Sequence, residues 1–216
     1  MDEPRVVRYI KRMRAQSPSF QPSPCLPPRL IVGVSGASGV RYGVRLLETL
    51  RLLEVESHLI MTRAAELTLA QETDLTIADV RQIASAWHEP ENIGASIASG
   101  GFRTLGMVVA PCSIRSMSEI ASGIAGSLLT RAADVTLKER RRLVLMVRET
   151  PFHLGHLRSM TALTEMGAII APPIPAFYNR PQTIEELIDQ SVGRVLDLFG
   201  LTAPGVRRWG ENIAPL

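Results

Sequence analysis

The chain lacks the marks of several common functional classes. Among 216 residues it has only two cysteines, Cys25 and Cys112, in unrelated contexts. That excludes a disulfide framework and a Cys-based metal site, and makes a reducing, cytoplasmic setting the expectation. Its four histidines, His58, His88, His153 and His156, show no ligand spacing and read as structural, so no metal is expected. No apolar run approaches the roughly 20 residues that span a bilayer. The net charge is +3, and the five basic and two acidic residues of 1–28 account for all of it, leaving 19 of each sign in the rest. A neutral body gives no reason to expect nucleic acid as a partner. A complete G-x-G-x-x-G is missing too, and no acidic residue ends the second apolar run, where a dinucleotide ribose would need one.

What is present falls into two parts. Residues 1–28 combine a short basic segment, VVRYIKRMRAQ, with the Pro/Ser-rich SPSFQPSPCLPP, and read as a mobile extension. From Arg29 to Leu216 strand and helix signals alternate. RLIVGVS, VESHLIMT, GMVVAP, RLVLMVRE and AIIAPP read as strands. Helical patterns run over 40–53, 63–73, 76–86, 113–124, 128–140, 153–167 and 183–200, with Thr76 as one cap and Gly167 and Gly200 as stops. Short apolar strands alternating with helices predict a single α/β domain, a Rossmann-like (flavodoxin-like) three-layer sandwich with a mostly parallel sheet.

Ligands of such folds sit beyond the carboxyl ends of the strands. GVSGASG lies there, between the first strand and its helix. Gly33, Gly36 and Gly39 permit a tight turn, the helix start favours an anion, and Ser35 and Ser38 add hydroxyl donors. Alone, this pattern fits a phosphate, a mononucleotide or simply a tight turn. Three further strand ends carry polar groups: APCSIRSMS with Ser113 and Ser116, VRETPFHLGHL with Arg148 and Glu149, and APPIPAFYNRP with Tyr178 and Arg180.

Taken together these segments resemble the UbiX-type flavin prenyltransferases, a family once labelled phenylacrylic acid or polyprenyl-hydroxybenzoate decarboxylases. The resemblance rests on GVSGASGVRYGVRLLETL, ETD at 72–74, SGGFRTLGMVVAPCSIRSMSEI, LLTRAADVTLKERRRLVLMVRETPFHLGHL, MGAIIAPPIPAFYNRPQTIEELI and RRWG. It implies that reduced FMN is the acceptor, that dimethylallyl monophosphate (or diphosphate) is the donor, and that the group is joined to flavin N5 and C6. It also implies a homododecamer, no metal, and delivery of prenylated FMN to a UbiD-type decarboxylase.

By the same resemblance Gly36, Ala37, Ser38, Thr62, Ser113, Ile114, Arg115, Ser116 and Arg148 contact FMN. Thr62 stands where the family has Ser, and Arg115 where Lys is common. Lys138, Tyr178 and Arg194, helped by Arg131 and Ser99, would hold the prenyl phosphate, since a leaving phosphate needs cations and donors around its oxygens. From local sequence alone Lys138 and Arg194 read as exposed helix residues. Glu149 is the candidate acid for the departing phosphate, and Glu72 with Ser38 would move protons near the flavin. Trp209 would wall the prenyl pocket or pack an interface. Cys112 reads as a small buried residue. Two other functions compete: an FMN-binding carrier or assembly subunit for an aromatic acid decarboxylase, and an independent FMN-dependent decarboxylase. The second resembles peptidyl-cysteine decarboxylases, whose catalytic His has no match here.

Overall fold

The computed structural model describes residues 27–211; apart from Pro27 and Pro28, the extension expected over 1–28 lies outside them. Six strands form one sheet: β1 (Arg29–Val34), β2 (Glu56–Met61), β3 (Ala86–His88), β4 (Gly106–Cys112), β5 (Arg142–Val147) and β6 (Ile169–Ile170). Their spatial order is β3-β2-β1-β4-β5-β6, and every pairing is parallel. The order reverses between β1 and β4. Connections from these neighbours leave to opposite faces and open a crevice at their carboxyl ends.

Both faces of the sheet are covered, which is why the strands are continuously apolar rather than alternating. Leu30, Val32 and Val34 face a core shared with α1 (Val40–Leu52), α2 (Arg63–Glu72), α3 (Ile77–Ile83) and α7 (Ile184–Asp197). Ile31, Met107 and Val109 face the other core, with α4 (Ile114–Ala121), α5 (Leu128–Lys138) and α6 (Leu154–Glu165). In α1 the buried stripe is Val40, Gly43, Val44, Leu46, Leu47 and Leu50, the helical repeat expected of a core-facing helix. Truncating Leu46 or Leu47 to Ala is the kind of change that costs about 2–5 kcal/mol. Helix starts are set by side-chain caps: Thr62 on α2, Thr76 with Asp79 on α3, Ser113 on α4, Ser127 with Thr130 on α5 and Thr183 on α7.

Three elements differ from the sequence expectation. The helix expected over 76–86 stops at Ile83, and the chain turns into the edge strand β3. There Ser57 and Ser85 exchange bonds between backbone N–H and side-chain hydroxyl, at 3.0 and 3.1 Å. β5 ends at Val147, so Arg148 and Glu149 lie beyond the strand. β6 keeps two residues of AIIAPP, since Pro172 and Pro173 have no N–H to extend a ladder.

Candidate active site

The carboxyl ends of the central strands are tied into one rim. Thr62 N–H donates to Val34 O at 3.0 Å, Ser35 N–H to Pro111 O at 3.2 Å, and Arg148 N–H to Cys112 O at 3.0 Å. Ser35 binds this rim most closely. Its side chain donates to Pro111 O at 3.0 Å and accepts from Ser113 N–H at 2.7 Å, and the residue is 1% exposed. The hydroxyl expected to meet a ligand is instead a clamp between the turns after β1 and β4.

The first turn needs its glycines for different reasons. A Cβ on Gly36 would stand 2.3 Å from the Cβ of Ala64, so this turn touches the start of α2 directly. Gly39 has φ of 97°, in the left-handed region, and precedes α1 without a side-chain cap of its own. Glu72 replaces that cap. Its carboxylate accepts from Gly39 N–H at 2.9 and 3.1 Å and from Val40 N–H at 3.0 Å. This corrects the expectation of a ligand phosphate at the α1 start: the anion there is the protein's own carboxylate, placed where the helix dipole favours it. Glu72 therefore sits at the lip of the turn, beside exposed Ser38, while Ala37 N–H donates to Ser35 O at 2.8 Å.

Hydroxyls dominate the rest of the rim. Thr62 accepts from Ala65 N–H at 3.2 Å. Ser113 accepts from Ser116 N–H and donates to the Ser116 hydroxyl, both at 3.2 Å, which passes the donor capacity on to Ser116. Ile114 is half-buried between them. The Arg115 side chain is 88% exposed and pairs with Glu119 at 2.9 Å, a contact worth only about 0–1 kcal/mol and readily exchanged for a phosphate. Arg148 is exposed, and half-buried Glu149 accepts from Thr150 N–H at 2.9 Å. Burial pushes the Cys112 thiol up to about 12, which leaves it inert. His153 caps α6 by accepting from Gly155 N–H at 3.0 Å, with its ring against that of His156, a structural role.

The residues expected around the prenyl phosphate do not all meet. Arg194 lines a cleft of about 210 Å³ between the end of β5, the segment after β6, and α7. Tyr178 borders the same region; its hydroxyl accepts from Gln190, which also lines the cleft, and its ring meets Trp209 edge-on at 6.1 Å. Arg194 pairs with Asp197 at 3.0 Å. Lys138, by contrast, ends α5, pairs with Glu139 and lies against Gly100, next to Ser99. Arg131, also on α5, pairs with Asp134 at 2.7 Å. Since α5 and α7 cover opposite faces of the sheet, one chain does not bring Lys138 to Arg194. Gln190 escaped the sequence reading. The available signal was a polar residue among the buried positions Ile188, Val192, Val195 and Leu196 of α7.

Known proteins are similar to this chain over most of its length. The family model described as Flavoprotein matches residues 21–196. The chain is similar to the flavin prenyltransferase UbiX of Escherichia coli (strain K12), 58% identical over 177 residues, covering 82% of this chain and 94% of that protein. Among solved structures it resembles AnUbiX (PadA1) in complex with FMN and dimethylallyl pyrophosphate. Identity there is 48%, with 85% of this chain and 98% of that chain covered and a TM-score of 0.84. A dodecameric FMN-dependent UbiX-like decarboxylase from Escherichia coli O157:H7 superposes with a TM-score of 0.82 at 48% identity, covering 84% of this chain and 98% of that one.

Proposed function

This chain belongs to the UbiX-type flavin prenyltransferases of the flavoprotein family, and from that membership we propose that it joins a dimethylallyl group to reduced FMN, making prenylated FMN. The observation that carries this reading is the pair of hydroxyl-lined turns clamped together by Ser35 at the switch point, together with a cleft beyond β5 and β6 that is lined by Arg194 and by Gln190, the partner of the Tyr178 hydroxyl. FMN fits this rim. Thr62, Ser113 and Ser116 offer hydroxyls at the starts of α2 and α4, Arg115 and Arg148 offer positive charge, and Glu72 is fixed on the amides of α1 at the lip of the first turn. Gly36, Ala37 and Ser38 would lie along the ring system, with Ile114 packed on it.

Reduced FMN supplies nucleophilic N5 and C6 positions, to which the five-carbon group becomes bonded as its phosphate leaves. The protein's part is to bind and neutralise that phosphate and to manage protons. Tyr178 and Arg194 grip the donor from one side of the cleft. Lys138, Arg131 and Ser99, which lie on the other face of the chain, reach it from a neighbouring subunit of a homododecamer. Glu149, one of its oxygens tied to Thr150 N–H, gives a proton to the departing phosphate. Glu72 and Ser38, adjoining at the lip of the first turn, accept the proton released at the flavin. The face of Trp209 steadies positive charge developing on the allyl group. A reducing cytoplasm suits both a reduced flavin and the free thiol of Cys112. A UbiD-type decarboxylase is the recipient of the product.

The test is anaerobic incubation with reduced FMN and dimethylallyl monophosphate, followed by mass spectrometry of the extracted flavin. The expected result is a gain of one five-carbon group. Glu149→Gln should retain FMN but slow transfer by about 10²–10⁴-fold. Unmodified flavin with both the mono- and the diphosphate donor would sink the reading, in favour of an FMN carrier or an independent FMN-dependent decarboxylase. Wild-type rates in Glu149→Gln would remove only the acid assignment.

A further inference from the structure

We propose that Gln190 is a positioning residue for prenyl transfer: it fixes the Tyr178 hydroxyl so that its proton is directed to the donor phosphate. This role rests on the transferase reading above.

Gln190 sits in the apolar stripe of α7 and is 4% exposed. A buried amide is tolerated only if its polar atoms are bonded. Here they are. The side-chain oxygen accepts from Arg207 N–H at 3.1 Å, and Nε2 donates to Arg207 O at 2.8 Å and to the Tyr178 hydroxyl at 3.2 Å. Because a backbone N–H can only donate and a carbonyl can only accept, the two bonds to Arg207 fix which end of the amide is oxygen. The remaining N–H has one place to go, the phenol oxygen of Tyr178.

That fixes the phenol in turn. Its oxygen accepts from Gln190, so its own O–H must donate elsewhere. Among the described residues its acceptor is Arg207 O, at a long 3.4 Å, and that carbonyl already receives the 2.8 Å bond from Gln190. Moving the phenol proton to a phosphate oxygen therefore leaves no group unpaired. It also gains a charge-assisted bond, roughly twice as strong as a neutral one. Gln190 stands one helical turn before Arg194, and both line the cleft, so α7 presents cation and positioned hydroxyl together. The same amide pins the segment that carries Trp209. Arg207 is held by Gln190 and donates to Asn179 O at 3.2 Å, and Trp209 meets the Tyr178 ring two residues later.

The experiment compares wild type, Gln190→Met, Gln190→Glu, Tyr178→Phe and the Met/Phe double variant in anaerobic prenyl transfer, with FMN affinity measured separately. Met keeps the volume and removes all three bonds. Glu keeps an acceptor for Arg207 N–H and has at most one donor, so it cannot donate to both Arg207 O and Tyr178, and it carries the test alone if the Met variant does not fold. Expected are unchanged FMN affinity, a rise in donor KM of about tenfold for either Gln190 variant, and no further loss when Gln190→Met is added to Tyr178→Phe. Wild-type donor KM and kcat in the Gln190 variants would overturn the proposal. So would losses that appear equally in FMN binding and add in full to Tyr178→Phe. Absence of transfer by the wild-type protein would overturn the transferase reading and this role with it; wild-type transfer with unaffected variants overturns this role alone.

Discussion

At the scale of single residues, the site depends on side chains whose bonds are directed inward. Ser35 is the clearest case. Without its hydroxyl, Ser113 N–H loses its 2.7 Å acceptor and Pro111 O loses one donor, in a place water does not reach. Ser35→Ala should therefore fold, because the strands on either side keep their ladders, yet bind FMN about tenfold more weakly, the cost of roughly one buried hydrogen bond. Isothermal titration with FMN, alongside a melting curve, separates the two effects; unchanged affinity would show that the turns hold their spacing without the clamp. The sequence marked Ser35 as important but assigned it a ligand. Ser35 and Ser38 look alike in GVSGASG, and only the contact with Pro111 O and Ser113 N–H, at and after the end of β4, decides which of them faces inward.

At the scale of elements, the long helices were legible because their apolar residues recur with helical spacing. β3 was not: three residues, Ala86, Trp87 and His88, carry no period, and the preceding helical pattern runs straight into them. Besides its ladder to β2, β3 is tied in by polar side chains. Arg29 donates to Glu56 at 2.9 Å, Glu56 meets Nε2 of His58 at 2.9 Å, and Nδ1 of His58 meets Nε2 of His88 at 3.1 Å. A carboxylate only accepts, so His58 carries its proton on Nε2, and its bare Nδ1 accepts from His88. Burial lowers the pKa of both histidines; for His58 it outweighs the raising effect of Glu56, and for His88 the neighbouring His58 adds to it. The unfolded chain, with ordinary histidines near 6.5, then binds more protons than the fold below that pH. Stability from this pair is present above about 6.5 and lost as pH falls through it. The melting temperature should drop between pH 7 and pH 5, by about 2–4 °C for each kcal/mol lost. His88→Gln, which cannot titrate, should show a shallower drop. Parallel pH profiles for the two proteins would exclude the pair as the cause.

At the scale of the whole molecule, the two groups of residues expected at the prenyl phosphate lie on opposite faces of one sheet. The motifs named Lys138 and Arg194 together, but no local pattern could say that α5 and α7 never meet within a chain; that follows from the strand order. Both cations are themselves largely exposed at their side chains and pair with Glu139 and Asp197 respectively, so removing either should leave the fold intact. Lys138→Ala and Arg194→Ala should each bind FMN and transfer the prenyl group poorly. Their combination is the informative experiment. If every site takes Lys138 from one chain and Arg194 from another, chains mixed at random by co-expression regenerate sites with both residues intact at about a quarter of positions. Mixed assemblies should then recover about a quarter of wild-type activity, far above either variant alone. If each chain supplied both residues to its own site, no mixture could contain an intact site, and activity would stay at the level of the single variants. The recovered activity, followed as the mixing ratio is varied at constant total protein, should peak at equal amounts and fall symmetrically on either side, a signature that reassembly without shared sites does not produce.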